Sequence, residues 1–493
     1  MPSPDTQPLG RRVLRSSMIM LGNSAAIRGT TFVTQLVLSL ILSRSDFGIW
    51  AIALSASVLL TNFRGGGMLQ WLIQGGTERY VVRAGPAFWT SLVFNVLLGT
   101  LIVAIALPVS KFYGEPQVFE IMIISGASFP LITLGAFYKT TLSIKLCMGQ
   151  VTLIEIASAV VRSGLTICLA LTGLGPLSFV LPLPASYIVE SIMGHHYERS
   201  RPWRLSRQLR SWHRLVFQNR WILSGTLVTT LTINVDYIVL GRLTSLSTLG
   251  VYFFAYQLTF VTAVLVTDNA RRVMTPAFVA VDPSRRTNAV LRATNAYLLF
   301  GSPLLLLLGA VVGGVEPIIW RAKWTDAILP IQILSFSLPS QLLTVIAQAS
   351  LQSSGRFRGW TAVNAIRASL AAGGALVAGT LFRSDVSAIC AVMALAFVVG
   401  NLSQIVLTFY NQRIGLFSMI RQTWAGLLAA PACLIVVLLL LHQLSPSPII
   451  SVLTGGLVFV VLNAICIGVF ARHDAMQLAR LALPRLKRLG DVG

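Results

Sequence analysis

Three arginines stand where a chain of this kind can least accommodate a charge. Arg28, Arg162 and Arg367 each lie inside a long apolar run. An ionisable group at the centre of a membrane-embedded helix costs at least about 2.5–3.5 kcal/mol, so it is turned toward a cavity or a partner. A guanidinium keeps its charge and presents a planar fork of donors matched to phosphate oxygens. The chemistry these residues point to is anion binding. The competing reading is an internal ion pair for each arginine, with Glu155, two turns before Arg162 on a similar helical face, as a marginal partner.

Four carboxylates, Glu155, Glu190, Asp236 and Asp268, also fall in or near apolar runs. Asn234 and Asp236 in TINVDYIVLG suit cation coordination at a helix interior, which makes Asp236, Glu155 and Asn234 the ion-coupling candidates. Asp268, beside Asn269 and one turn before Arg272, suits a local salt bridge. Lys145, Arg271 and Arg272 lie at cytoplasmic helix ends, where a basic side chain snorkels or captures a lipid headgroup at an inner mouth.

Signals for catalysis are missing: the chain has no HExxH, GxSxG or P-loop. Its five histidines (His195, His196, His213, His442, His473) are scattered, and the adjacent pair reads as interfacial anchoring. The five cysteines (Cys147, Cys168, Cys390, Cys433, Cys466) lie in or beside apolar runs without a CxxC, so packed, reduced thiols are expected. Neither a metal nor a cofactor is expected.

The elements that must position these groups are membrane helices. Of 493 residues, 55% are hydrophobic and 11% charged, and the mean hydropathy is +0.76. About fourteen candidate spans follow from runs near the length that crosses a bilayer: 17–42, 47–63, 86–110, 118–141, 151–173, 176–196, 221–241, 246–268, 289–313, 327–352, 360–382, 385–410, 424–443 and 448–470. The formal net charge of +22 is a topology signal. With a cytoplasmic N-terminus, only Arg44, Lys111, Arg242, Arg321, Lys323 and Arg383 fall in external loops, and the other basic residues outside the spans lie on the cytoplasmic side. That asymmetry is the positive-inside pattern, and it argues against nucleic acid as a partner. Both termini are expected in the cytoplasm. The first apolar run is too long for a signal-peptide core of roughly 7–15 residues and is expected to stay as the first helix.

An internal repeat divides the spans. SRSDFGIWAIA around Gly48 returns as TSLSTLGVYFFA around Gly250, and SGASFPLITL around Pro130 returns as SFSLPSQLLTV around Pro339. The expected fold is an all-α polytopic membrane protein with two six-helix lobes in parallel repeat around a central cavity, plus two extra C-terminal helices. The lobes are 1–196 and 221–412. A basic amphipathic linker, 197–220, joins them, with Leu205, Leu209, Trp212 and Val216 at helical spacing, and 413–493 holds the extra helices and a basic tail. The second motif pair aligns Arg367 with Ser158, one turn from Arg162, so the two arginines are expected to project from the two lobes toward a shared space.

SRSDFGIWAIA, DYIVLGRLTSLSTLGVYFFAYQL and KLCMGQVTLIEIASAVVRSGLTICLALTGLG, in that family's order and spacing, resemble the polysaccharide-transport flippases of the multidrug/oligosaccharidyl-lipid/polysaccharide exporter superfamily. The resemblance runs from about Arg11 to the last helices. It implies export of polyprenyl-pyrophosphate-linked saccharide repeat units from the inner to the outer leaflet, for exopolysaccharide, capsule or O-antigen synthesis. It also implies membrane lipids, a polysaccharide polymerase and a co-polymerase as partners. The second junction, FRGGGMLQWLIQ, departs from the family by carrying Arg64 where an acidic residue is usual, and Arg64 joins Arg28, Arg162 and Arg367 as a substrate-binding candidate. Two other functions compete. A membrane polymerase or ligase usually needs a large external loop, which is not found, and a drug/cation antiporter of the same superfamily calls for a more acidic cavity.

Overall fold

The computed structural model describes residues 27, 29–61, 64, 68–205, 220–260, 263, 267, 283–353, 357–410, 416–444 and 447–470. Lipid offers the backbone no hydrogen bonds, so a spanning segment must satisfy its own N–H and C=O groups. Among the described residues every regular element is accordingly a helix. The first half contains α1 (Gly29–Ile41), α2 (Arg44–Thr61), α3 (Met68–Gly75), α4 (Tyr80–Tyr113), α5 (Pro116–Ile144), α6 (Met148–Leu171), α7 (Pro182–Glu198) and α8 (Arg220–Leu243). The second contains α9 (246–260), α10 (Pro283–Trp320), α11 (Ile328–Ser335), α12 (Leu338–Ser353), α13 (Phe357–Leu381), α14 (Val386–Tyr410), α15 (Leu416–Leu444) and α16 (Pro448–Phe470).

Nine of the described helices are long and apolar enough to cross a membrane, or ten with one bent pair. The fourteen expected spans are not all reached. Those at 17–42 and 246–268 run into residues outside the described set, and those at 47–63 and 221–241 form α2 and α8 but fall outside that count. The span expected at 327–352 is two helices, α11 and α12, meeting at a 45° bend. Pro339 stands in the first turn of α12, where its missing N–H costs no intrahelical hydrogen bond.

The distribution of side chains is that of a protein in lipid. Leu171, Leu453, Leu457 and Val469 lie more than half exposed, and the most apolar stretch of α16 is only 17% buried. The interior, by contrast, holds polar groups that satisfy one another: Asn95 donates to Thr133 at 2.8 Å, and Asn401 donates to Ser340 at 2.8 Å. These hydrogen-bonded groups stand beside large buried apolar side chains such as Phe47, Leu72 and Trp324. The chain is therefore a multi-pass helical membrane protein.

The helices form two compact units, Met1–Gly250 and Val251–Gly493. In the first, α4 packs along α5, α7 packs against α5 and α6, and α2 packs against α8. In the second, α10 contacts α12, α15 and α16, while α13 pairs with α14.

The motifs around Gly48 and Gly250 are helix starts. Ser43 Oγ accepts from the Asp46 N–H at 3.2 Å, while Asp46 Oδ2 accepts from the Ser43 N–H at 2.8 Å, a reciprocal capping box that opens α2. Ser245 Oγ accepts from the Thr248 N–H at 3.2 Å in the same register at α9. Two residues beyond each cap partner stands a glycine, Gly48 or Gly250. The two helix starts meet there, with the Leu246 carbonyl lying against Gly48 and the Arg44 carbonyl against Gly250, leaving no room for a Cβ at either position. Gly48→Ala or Gly250→Ala is expected to lower the apparent melting temperature of the detergent-solubilised protein, by the equivalent of about 1–3 kcal/mol of overpacking. Gly149→Ala, whose Cβ meets nothing within 4 Å, should melt like the parent; equal melting of all three would refute the close contact.

Candidate functional site

Along α6 the residues Glu155, Ser158, Ala159, Arg162, Ser163 and Thr166 recur three and four apart, which stacks them on one helical face. That face lines a cavity of about 320 Å³ in the first unit. Thr31, Thr34 and Gln35 of α1, Lys139 of α5, and Ser186, Tyr187 and Glu190 of α7 complete its polar wall, and Phe179 and Leu38 add apolar surface. Phe179 is itself held by a stacked Trp50 ring at 4.7 Å and by the edge of Phe47 at 5.8 Å.

Two charged groups in the wall neutralise each other. Lys139 Nζ lies 2.9 Å from Glu190 Oε2, and Ser158 Oγ donates to Glu190 Oε1 at 3.1 Å. α7 comes close enough for this because Gly135, one turn before Lys139, leaves its flank bare where the backbone and Cβ of Glu190 approach. Arg162 is different. Its side chain is exposed to the cavity, and among the described residues its guanidinium has no hydrogen bond or ion pair. Glu155 lines the same cavity.

The remaining candidates distribute as follows. Arg64 is exposed, with its guanidinium over the Phe129 ring at 5.1 Å, and it stands near enough to Arg162 for the two positive charges to repel. Arg367, in the second unit, is partly buried and donates to Asn364 Oδ1 at 3.4 Å. Tyr256, close enough to act on the Arg367 charge, stacks on Phe260 at 3.8 Å. Asp236 and Asn234 are buried in α8 and do not line the first-unit cavity. Asn234 Nδ2 donates to the Thr230 carbonyl at 2.8 Å, and Asp236 Oδ1 accepts from the Tyr237 N–H at 3.0 Å. Lys145 pairs with Glu198 at 2.7 Å at the end of α5. Arg28, Arg271 and Arg272 lie outside the described residues, as does the linker from 206 to 219. Leu205, at the start of that stretch, accepts from Trp89 Nε1 at 3.3 Å.

Sequence reasoning singled out Arg162 and Glu155 but passed over Lys139 and assigned Glu190 no role. The spacing of polar residues along α6 was the available signal; the pairing across α5 and α7 had none. It also found no partner for any cysteine, yet Cys433 Sγ and Cys466 Sγ face each other at 3.7 Å, both free, because α15 and α16 pack side by side. His195 hydrogen-bonds through Nδ1 with the Tyr138 hydroxyl at 3.0 Å. No group of three or more His, Cys, Asp or Glu that could hold a metal occurs among the described residues.

Comparison with known proteins adds five findings. The profile of a family described as polysaccharide biosynthesis protein matches residues 37–329. The chain is 25% identical over 480 residues to the succinoglycan biosynthesis transport protein ExoT of Rhizobium meliloti, covering 94% of each chain. It is 24% identical over 275 residues to the teichuronic acid biosynthesis protein TuaB of Bacillus subtilis, covering 52% of this chain and 54% of that one. In fold it is similar to the lipid II flippase MurJ in an inward closed conformation, with a TM-score of 0.70 at 12% identity over 93% of this chain and 99% of that one. It is also similar to an inward-facing multidrug resistance MATE family transporter, with a TM-score of 0.60 at 13% identity over 80% and 95% of the two chains.

In a variant lacking the five native cysteines, Ser163→Cys should react with a membrane-impermeant thiol reagent, since Ser163 lines the cavity. Val160→Cys, on an exposed apolar position of the same helix, should not. The reverse pattern would mean that water does not reach this face of α6.

Proposed function

Because the chain belongs to the polysaccharide biosynthesis protein family, we propose that it is a flippase for polyprenyl-pyrophosphate-linked saccharide repeat units. It carries them from the inner to the outer leaflet of a prokaryotic cytoplasmic membrane for exopolysaccharide, capsule or O-antigen synthesis. The observation that carries this reading is Arg162, a guanidinium without a described partner, exposed to a polar cavity that is walled by membrane helices. A permanent charge in that setting costs several kcal/mol unless a ligand repays it, and a phosphate takes two parallel N–H bonds from one guanidinium. The cavity wall is mixed in charge, since Lys139 and Arg162 stand with Glu155 and Glu190.

In this reading the substrate diphosphate is held by Arg162, with Arg28, Arg64 and Arg367 contributing, and two six-helix lobes alternate access around it. Lys145, Arg271 and Arg272 steer headgroups at the inner mouth, and Asp236, Asn234 and Glu155 are where a coupling cation would act. Outward movement of two negative charges gains roughly 4–5 kcal/mol from a potential of about 100 mV, negative inside, so the membrane itself favours export. Both termini face the cytoplasm, and the polymerase and co-polymerase that use the exported unit are the protein partners.

The acidic groups Glu155 and Glu190 favour one other reading, a drug or cation antiporter, and a polymerase or ligase is the enzyme alternative. One cellular experiment separates all three. Loss of the protein should trap lipid-linked oligosaccharide on the inner leaflet. Arg162→Ala should restore export at least about tenfold less well than the parent, the scale of a lost charge-assisted contact, at equal membrane level. Unpolymerised units reaching the outer face would establish the enzyme reading, and normal glycolipid distribution with altered drug sensitivity would establish the antiporter. For the topology, a cysteine replacing Ser445 should label from outside and one replacing Ser206 only from inside; the opposite result would invert the assignment.

A further inference from the structure

The cavity already holds one bound anion, and it is the protein's own. Glu190 enters from α7, lies 2.9 Å from Lys139 Nζ, and keeps its other oxygen on Ser158 Oγ at 3.1 Å. Both charged side chains border the space that Arg162 borders, and both retain some exposure, 22% for Lys139 and 12% for Glu190. The pair is thus reachable by a ligand in the cavity. It is also built in: Gly135 clears the flank of α5 one turn from Lys139, so that Glu190 can come this close.

We infer that Lys139 is a second anion-binding point, occupied by Glu190 in the empty protein, and that the site selects a diphosphate over a monophosphate. The inference rests on the cavity being the substrate site. A monophosphate that settles on Arg162 has nothing to offer Lys139, and the internal pair stays closed. A diphosphate has a second charged group, which replaces the Glu190 carboxylate on Lys139 while the first remains on Arg162. The displaced carboxylate keeps its hydrogen bond from Ser158, so it is not left orphaned. It stays close to the ligand, however, and competes with it at the high effective concentration of an intramolecular group. Arg64, whose charge reaches Arg162, adds to the positive potential that draws the anion in.

The test uses the full chain in nanodiscs, with farnesyl diphosphate and farnesyl monophosphate as probes. Glu190→Gln removes the competitor and should tighten the diphosphate by about fivefold or more, the usual scale of a coupling between linked events. Lys139→Gln should weaken the diphosphate by a similar factor beyond its effect on the monophosphate, which meets the freed Glu190 carboxylate but has no contact with Lys139 to lose. The double variant leaves neither member of the pair charged and alone; it should lose the preference for diphosphate. Arg162→Ala should weaken both probes. If Arg162→Ala weakens both but Glu190→Gln does not tighten the diphosphate, or the double variant keeps its preference, the inference about Lys139 is overturned and the cavity reading stands. If Arg162→Ala changes neither probe, the cavity is not the substrate site and both fall.

Discussion

Hydrocarbon supplies no hydrogen bonds, and the rest of this structure follows from how that shortage is met. Backbone groups are satisfied within helices. Polar side chains turn inward and satisfy one another, as Asn95 and Thr133 do between α4 and α5 and Asn401 and Ser340 do between α14 and α12. The polar face of α6 from Glu155 to Thr166 borders a cavity. Hydrogen-bonded polar groups are thus kept inside, beside a large apolar core, and much apolar surface is directed to lipid.

Within that frame the first unit shows two ways of managing a buried charge. Lys139 and Glu190 cancel each other across α5 and α7, with a serine completing the carboxylate. Arg162 has no such partner among the described residues and faces open space. It is this unmatched guanidinium, a planar fork of donors, on which the proposed anion-binding role rests.

The glycine contact between the starts of α2 and α9 explains the internal repeat in physical terms. Each motif opens a helix with a serine cap and then presents a glycine, and each glycine is covered by a carbonyl of the other motif. A side chain at either position would force the two helix starts apart. The two motifs are thus alike at the point where they meet, each offering a bare glycine to a carbonyl of the other.

Membrane embedding, helical class, the approximate places of most spans and the candidacy of Arg162 were legible in the sequence, because hydropathy and the cost of an intramembrane charge are local properties of a chain in lipid. The bend between α11 and α12 was legible in part, since Pro339 was visible but the break before it was not. What only the tertiary structure decided is which groups meet. Glu190 and Lys139 are far apart in the chain and become neighbours because Gly135 lets α7 approach α5. Cys433 and Cys466 face each other for the same kind of reason, the packing of α15 on α16. Arg367 acquires Tyr256 of α9 as a neighbour in the same way, whereas Asn364 is one turn away on its own helix. One-dimensional periodicity says which face of a helix is polar, but which polar face it meets is set by interhelical packing, and on that meeting depends whether a charge is neutralised or left for a ligand.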